Sequence, residues 1–454
     1  MIVRYALWLL VLILGAGVSG QDAPAAEPPA PRALVLMIAD GFGPASLTLA
    51  RSAATRSLHL DGLLVGSVAT LAADSLITDS AASATSLASG VATNNMVVGL
   101  DVAGNPAENL LERAHDRGLR TGIVTTTTLT HATPACFSAH VEHRLQEVQI
   151  AEQQVASDVD LLLGGGRAAF LPPDGVHTPR RVDGRDLTAE AREQGWTVAL
   201  DCAGLAAADA LPLLGLFSEG HLAYRIDEAA AAQPTLAEMT AKALSMLAQD
   251  DQPFVLVVEG GRIDHAGHAN DAAAHLREIM AYDEAVGVVL DHLEEHPDVL
   301  LVSVSDHETG GLSLGRDYET VSAANWKPAV LRRATVSFEV MLARIVAGED
   351  ALTELVEGAG VDPTPAEVEA LRRAVGIDDV IQRDRQLLLA LAAPVTREAG
   401  IAWSTLGHTA VDVPLFARGP GAGRLVGHHT HVELGRLLRE ITGLGFGADP
   451  ASER

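Results

Sequence analysis

Three apolar runs in this chain each end on an acidic residue. Asp40 follows Ala33–Ala39, Glu259 follows Phe254–Val258, and Asp306, with His307 beside it, follows Val299–Ser305. Runs that are β-rich and apolar throughout, rather than alternating, read as strands buried on both faces of a sheet. In open α/β sheets ligands bind beyond the carboxyl ends of the strands. Three such acids, far apart in sequence, are therefore predicted to converge. Any one of them alone would be an ordinary solvated loop residue; three together point to a site.

The segment Ile263-Asp-His-Ala-Gly-His-Ala-Asn-Asp271 adds ligand chemistry. Asp264 and His268 are four apart and share a face if the segment is helical. Carboxylate and neutral imidazole suit Zn2+, which also accepts a water or substrate oxygen at an open position. His408, in Leu406-Gly-His-Thr409, offers a further imidazole, whereas His265, His275 and His292 are equally readable as exposed histidines without a role. A nucleophile is offered by Ser80 in Thr78-Asp-Ser-Ala-Ala-Ser-Ala-Thr-Ser-Leu87. It is predicted in the first turn of an Ala-rich helix capped by Thr78 or Asp79 and stopped by Gly90. A helix N-terminus favours anions and helps ionise a hydroxyl. No Ser-His-Asp order and no G-x-S-x-G elbow is present, so metal activation is the consistent reading; a plain helix cap is the alternative.

Positioning these residues requires a scaffold. Further apolar runs lie at Thr121–Thr127, Val159–Leu163 and Val413–Ala417, with amphipathic segments at Glu108–Arg117, Thr235–Ala248 and Ala272–Glu295. This order predicts an α/β fold: a mostly parallel central sheet with helices on both faces. Residues 317–400 carry helical pattern (Phe338–Ala347, Pro365–Val375, Asp378–Ala393) without a buried strand. They read as a helical insertion: a cap near the site, a subunit contact, or simply packing helices. With 48% hydrophobic but only 4% aromatic residues the core must be aliphatic. A net charge of −27 argues against nucleic-acid or anionic-membrane partners. It also demands local positive charge if the ligand is an anion. Arg4, the apolar stretch Ala6–Val18 and the small residues up to Gly20 read as an export signal over 1–20, placing the protein in the periplasm or outside the cell. No stable membrane insertion is expected. An Ala/Pro-rich linker over 21–32, one domain over 33–446 and a polar tail over 447–454 complete the division. Cys136 and Cys202, the only cysteines, allow at most one bridge and no cysteine-based metal site.

Six blocks stand in order along the chain: Asp40-Gly41, Asp79-Ser80-Ala-Ala-Ser-Ala-Thr85, His131-Ala-Thr-Pro134 through Ala139-His-Val-Glu-His-Arg144, Val258-Glu-Gly-Gly-Arg-Ile-Asp-His-Ala-Gly-His268, Ser305-Asp-His-Glu-Thr-Gly-Gly311 and Gly407-His-Thr409. Together they resemble the alkaline phosphatase family of bacterial type. The resemblance implies hydrolysis of small-molecule phosphate monoesters through a phosphoserine on Ser80, with Arg144 clamping the phosphate. It implies two Zn2+, one held by Asp264, His268 and His408, the other by Asp40, Ser80, Asp306 and His307. A third site of Asp40, Thr133 and Glu259 would take Mg2+, with Co2+ or Zn2+ as alternatives. His131 and His265 fall where family members vary and would tune that site and the substrate. A homodimer is an option, but the 317–400 insertion departs from the best-known members, so dimer contacts do not carry over. The rivals are a phosphodiesterase of the same superfamily and a phosphate- or metal-binding protein without turnover.

Overall fold

The computed structural model describes residues 30–173, 180–316 and 325–445. The expected export signal, nearly all of the linker and the polar tail lie outside the described residues. Eight strands are labelled here: β1 Ala33–Ile38, β2 Leu64–Ala69, β3 Arg120–Thr128, β4 Leu161–Gly165, β5 Thr197–Ala199, β6 Leu213–Leu216, β7 Phe254–Glu259 and β8 Val299–Val304. With Val413–Arg418 and Gly427–Thr430 they form one ten-stranded sheet, in the order Gly427–Thr430, β2, Val413–Arg418, β8, β1, β7, β3, β4, β6, β5. Val413–Arg418 pairs antiparallel with both neighbours, and every other pairing is parallel. All six apolar runs are strands of this sheet.

The continuous apolar character of these runs has a direct cause. Successive side chains point to opposite faces, and both faces are covered. Leu34, Leu36 and Ile38 pack with Val255, Val257, Leu300 and Val302 against Ala81, Ala84, Leu87, Leu111, Ile150 and Leu434. Val35 and Met37 pack with Leu256, Val258 and Leu301 against Leu49, Leu244, Ile279 and Val286. Each fully buried aliphatic side chain contributes about 1.5–3 kcal/mol.

Helix Ala272–Glu295 has the expected bounds, because Asp271 caps it by accepting from the Ala273 and Ala274 N–H groups. The insertion contains helices Phe338–Ala347, Pro365–Val375 and Val380–Ala399. Phe338, Met341, Leu387, Leu391 and Val395 join the second face of the core. The insertion helices thus pack onto the body of the fold.

Helix Ser80–Ser89 is buried along its whole length, and its residues are small for a reason. Helix His431–Ile441 crosses it so closely that a Cβ on Gly435 would lie 2.5 Å from the Ser86 carbonyl oxygen.

Candidate active site

Strands β8, β1, β7 and β3 lie side by side at the middle of the sheet. Ile38 pairs with Val304 on one side and Glu259 on the other, and Glu259 pairs with Thr125. Their carboxyl ends therefore deliver Asp306 and His307, Asp40, Glu259, and the His131–Thr133 segment to one place. Between Asp40 and the next element the chain must turn sharply past Asp264. Gly41 does this at φ +76°, where a Cβ would lie 2.6 Å from Asp264 Cα.

Residues Arg262–His268 form the helix that the i, i+4 spacing requires. His268 Nε2 lies 3.3 Å from Asp264 Oδ2. His268 Nδ1 donates to the Leu406 carbonyl at 2.6 Å, and His408 Nδ1 donates to the Thr78 carbonyl at 2.8 Å. A carbonyl can only accept, so each neutral ring carries its hydrogen on Nδ1 and leaves a lone pair on Nε2. The two Nε2 atoms are 3.2 Å apart beside Asp264. That arrangement is repulsive unless a cation or a proton sits between them. His307 Nε2 lies 3.2 Å from Asp306 Oδ2 and 3.7 Å from Asp40 Oδ1. Its Nδ1 is 3.2 Å from the Thr309 hydroxyl, which also donates to Asp264.

Three groups bring ligand atoms within 4.8 Å of one another: Asp264, His307 and His408; Asp40, Asp306 and His307; and Asp40, His131 and Glu259. The chemistry of their free atoms fits cations. Both Asp40 oxygens, Asp306 Oδ2, Glu259 Oε1, the Thr133 hydroxyl and His131 Nδ1 are buried without a hydrogen-bond partner. Leaving one such group unmet costs about 1–3 kcal/mol, more for a charge. The other Glu259 oxygen accepts from the Thr125 and Thr127 hydroxyls, so that carboxylate is braced with one oxygen free.

Burial, then the neighbouring Asp306, Asp264 and Glu259, raises Asp40 well above the usual carboxylate range. Burial and then Asp264 push Asp306 up to about 7. Burial also opposes charge on His268, but Asp264 outweighs it and raises that imidazole to about 9. Without metal, all these groups hold protons that they lack when unfolded. The stability they contribute is present below the unfolded values, near 4 for Asp and 6.5 for His, and is lost as pH rises through about 7 for Asp306 and about 9 for His268. Metal binding displaces those protons and strengthens as pH rises. The gap in melting temperature between metal-loaded and metal-stripped protein is thus expected to widen from pH 5 to pH 8. Thermal melts at both pH values check this, and a gap that narrowed would contradict it.

Ser80 opens helix Ser80–Ser89, and the cap is Asp79, whose carboxylate accepts from the Ala82 N–H at 3.0 Å. Gly90 ends the helix in the left-handed conformation. Ser80 Oγ is buried and lies 3.2 Å from His307 Nε2. Ser83, the competing hydroxyl, instead donates to the Asp79 carbonyl within its own helix at 2.9 Å. The second Asp79 oxygen receives Arg144 Nη1 at 2.9 Å, and Arg144 Nη2 donates to His131 Nε2 at 3.1 Å. One residue thus caps the helix that Ser80 opens and aims the Arg144 guanidinium; the sequence suggested only the first role.

His131 and His265 lie edge to face, with ring centroids 5.4 Å apart. Burial, and then Arg144, depresses His131; burial, and then His221 and Arg262, depresses His265. Two residues absent from the sequence-based site complete this end. His221 stands 4.5 Å from His265 and 5.6 Å from His131 between ring centroids. Arg262 donates to His265 at 2.9 Å and to Glu339 of the insertion at 2.7 Å. Its presence in the Glu-Gly-Gly-Arg-Ile-Asp block was the one available signal. The other histidines divide. His275, far from exposed, is fully buried between the Ser46 hydroxyl and the Ile263 carbonyl, where it supports helix Arg262–His268. His292 stacks on His296, outside the site. Cys136 is buried, Cys202 exposed, and both are free.

A family model described as alkaline phosphatase matches residues 31–444. The chain is 37% identical to the repressible alkaline phosphatase of Saccharomyces cerevisiae, over 91% of this chain and 81% of that protein. It is 38% identical to an alkaline phosphatase of Schizosaccharomyces pombe, over 90% and 80%. The crystal structure of Thermus thermophilus alkaline phosphatase superposes with a TM-score of 0.83 at 32% identity, covering 96% of each chain.

Proposed function

This chain belongs to the alkaline phosphatase family and is a metal-dependent phosphomonoesterase, and from that premise we propose that Ser80 is the nucleophile that accepts the phosphoryl group. The observation that carries the reading is the placement of the Ser80 hydroxyl. It sits at a helix N-terminus, 3.2 Å from His307 Nε2, the atom that also lies 3.2 Å from Asp306 Oδ2 and 3.7 Å from Asp40 Oδ1. Ser80 Oγ attacks phosphorus and the alcohol departs; water then releases phosphate from the serine and restores the hydroxyl. Arg144, locked by Asp79, holds two non-bridging oxygens in the fork geometry that suits phosphate. The helix N-terminus adds a partial positive charge at the attacking oxygen. Bound divalent cations supply the charge that ionises a hydroxyl and stabilises the departing oxygen. They also reverse the sign of a pocket set in a protein of net charge −27.

Asp264, His268 and His408 would hold one Zn2+, and Asp40, Ser80, Asp306 and His307 the second. Asp40, Thr133 and Glu259 would hold Mg2+, with Co2+ or Zn2+ as alternatives. Hydrolysis of p-nitrophenyl phosphate against bis-p-nitrophenyl phosphate tests the reaction class. The monoester is expected to be strongly preferred, and a preference for the diester would favour the phosphodiesterase reading. Residues 1–20 support export to the periplasm or beyond.

The third site carries its own expected outcome. A His131 ring nitrogen lies within 4.8 Å of Asp40 and Glu259 oxygens, and its Nδ1 is buried without a partner. An imidazole there withholds the negative charge that retains hydrated Mg2+; with Nε2 accepting from Arg144 the neutral ring carries its hydrogen on Nδ1, and it offers that nitrogen to zinc or cobalt only by giving up this proton or this bond. Mg2+ is therefore expected to bind weakly and to activate the purified enzyme when added. His131→Asp should tighten Mg2+ by about tenfold, measured by equilibrium dialysis and by activation curves. Identical curves for the two proteins would show that His131 does not tune the site.

A further inference from the structure

The histidines around Arg144 have their hydrogens assigned by their neighbours. Arg262 Nη1 can only donate, so His265 Nδ1, 2.9 Å away, accepts, and the neutral ring carries its hydrogen on Nε2. The backbone N–H of Thr128 donates to His221 Nδ1 at 3.1 Å, which puts the His221 hydrogen on Nε2 as well. Both rings are half-buried. Neither Nε2 has a hydrogen-bond partner among the described residues, and neither is a sealed, buried orphan. Two rings that each carry an N–H donor on Nε2 thus lie 4.5 Å apart between centroids, next to His131, whose Nε2 is bonded to Arg144.

The loop that carries His221 is fastened at several points. It leaves β6, and the Leu222 N–H donates to the Thr126 carbonyl at 3.0 Å. Tyr224, two residues further on, lies under the Arg262 guanidinium at 3.7 Å from the ring centroid. That guanidinium is the one that orients His265. A donor on this loop is therefore held in a fixed place, as recognition of an anion requires. No metal group described above uses His221.

We propose that His221 is a further substrate-contacting residue, whose Nε2–H, beside that of His265, donates to an anionic oxygen of the phosphate held by Arg144. The inference rests on the phosphatase reading given above. A neutral donor suits this position. It gives a charge-assisted hydrogen bond to the phosphate oxygen without adding a second buried cation beside Arg262. Substrate and product are thereby gripped with less net charge than a lysine would bring.

Two variants separate this role from a structural one. His221→Asn keeps an acceptor for the Thr128 N–H but loses the distal donor, whereas His221→Gln reaches the Nε2 position with an amide N–H. Competitive inhibition by inorganic phosphate, KM and kcat for p-nitrophenyl phosphate, metal content and melting temperature are measured for both on the metal-loaded enzyme. For Asn, the phosphate inhibition constant and KM are expected to rise about tenfold, with kcat changed less and metal content and melting temperature as in wild type. Gln is expected to recover inhibition to within about threefold. Wild-type phosphate affinity in the Asn variant would overturn the proposal. So would equal losses in both variants accompanied by lost metal or lower melting temperature. Failure of phosphate to inhibit the wild-type enzyme would instead count against the phosphatase reading itself.

Discussion

Ser80→Ala is expected to lower kcat by at least about a thousandfold while leaving the fold and the bound metal largely in place. The side chain is small and sits at the first position of a helix whose cap, Asp79, does not depend on the serine hydroxyl. Its loss removes the attacking oxygen and little else, since the Ser80 Oγ contact to His307 is one of several that His307 makes. Ser83→Ala is the matched control. That hydroxyl is spent on a carbonyl of its own helix turn, and its removal should change kcat by less than about tenfold, the scale of one local hydrogen bond. Steady-state kinetics on the two variants, with metal analysis alongside, make the comparison.

The second large effect concerns the carboxylate and imidazole cluster. EDTA is expected to reduce activity by at least about a hundredfold and Zn2+ to restore it. Asp306→Ala removes a buried carboxylate that receives the Gly41 and His307 backbone N–H groups through one oxygen and leaves the other free for a ligand. His408→Ala removes one of the two Nε2 lone pairs beside Asp264. Each substitution should cost about one zinc per chain, read by elemental analysis after dialysis. Asp306→Ala also relieves electrostatic crowding, because Asp264 and Glu259 raise Asp306 and Asp306 in turn raises Asp40. Metal-stripped Asp306→Ala is therefore expected to melt no lower than metal-stripped wild type at pH 8. Full activity in a metal-free preparation would contradict the account.

How much of this was legible beforehand follows from where each residue's signal lies. Asp40, Glu259 and Asp306 were readable because strands buried on both faces are continuous apolar runs, and each run stops at the acid that faces the site. Asp264 and His268 were readable because a helix turn makes i and i+4 neighbours. Strand β6 was not, although Leu213–Leu216 is wholly buried, because it sits in an Ala- and Leu-rich stretch that fits a helix equally well. Gly427–Thr430 is an edge strand of the sheet and β2 pairs just inside it; both are partly exposed and lack the apolar run. The run at Val159–Leu163 was displaced two residues from the real strand Leu161–Gly165, whose glycines weaken the pattern.

The missed site residues share one cause: their roles exist only in three dimensions. His221 follows the unrecognised β6 as a lone loop histidine. Glu339 reaches Arg262 across 77 residues of sequence. Thr125 and Thr127 brace Glu259 from within an otherwise apolar strand, where threonine reads as a β-former and nothing more. The choice between Thr78 and Asp79 as cap needed the observed bond from the Ala82 N–H. It also uncovered the grip on Arg144, which no spacing rule contains.

The central claim is that the phosphoryl group passes through Ser80. Mixing the metal-loaded enzyme with excess p-nitrophenyl phosphate, quenching in acid within the first turnovers and mapping the phosphorylated peptide by mass spectrometry tests it most directly. The account predicts a single phosphoserine at Ser80, absent from Ser80→Ala; a label on Ser83, or turnover with no phosphoserine at Ser80, would contradict it.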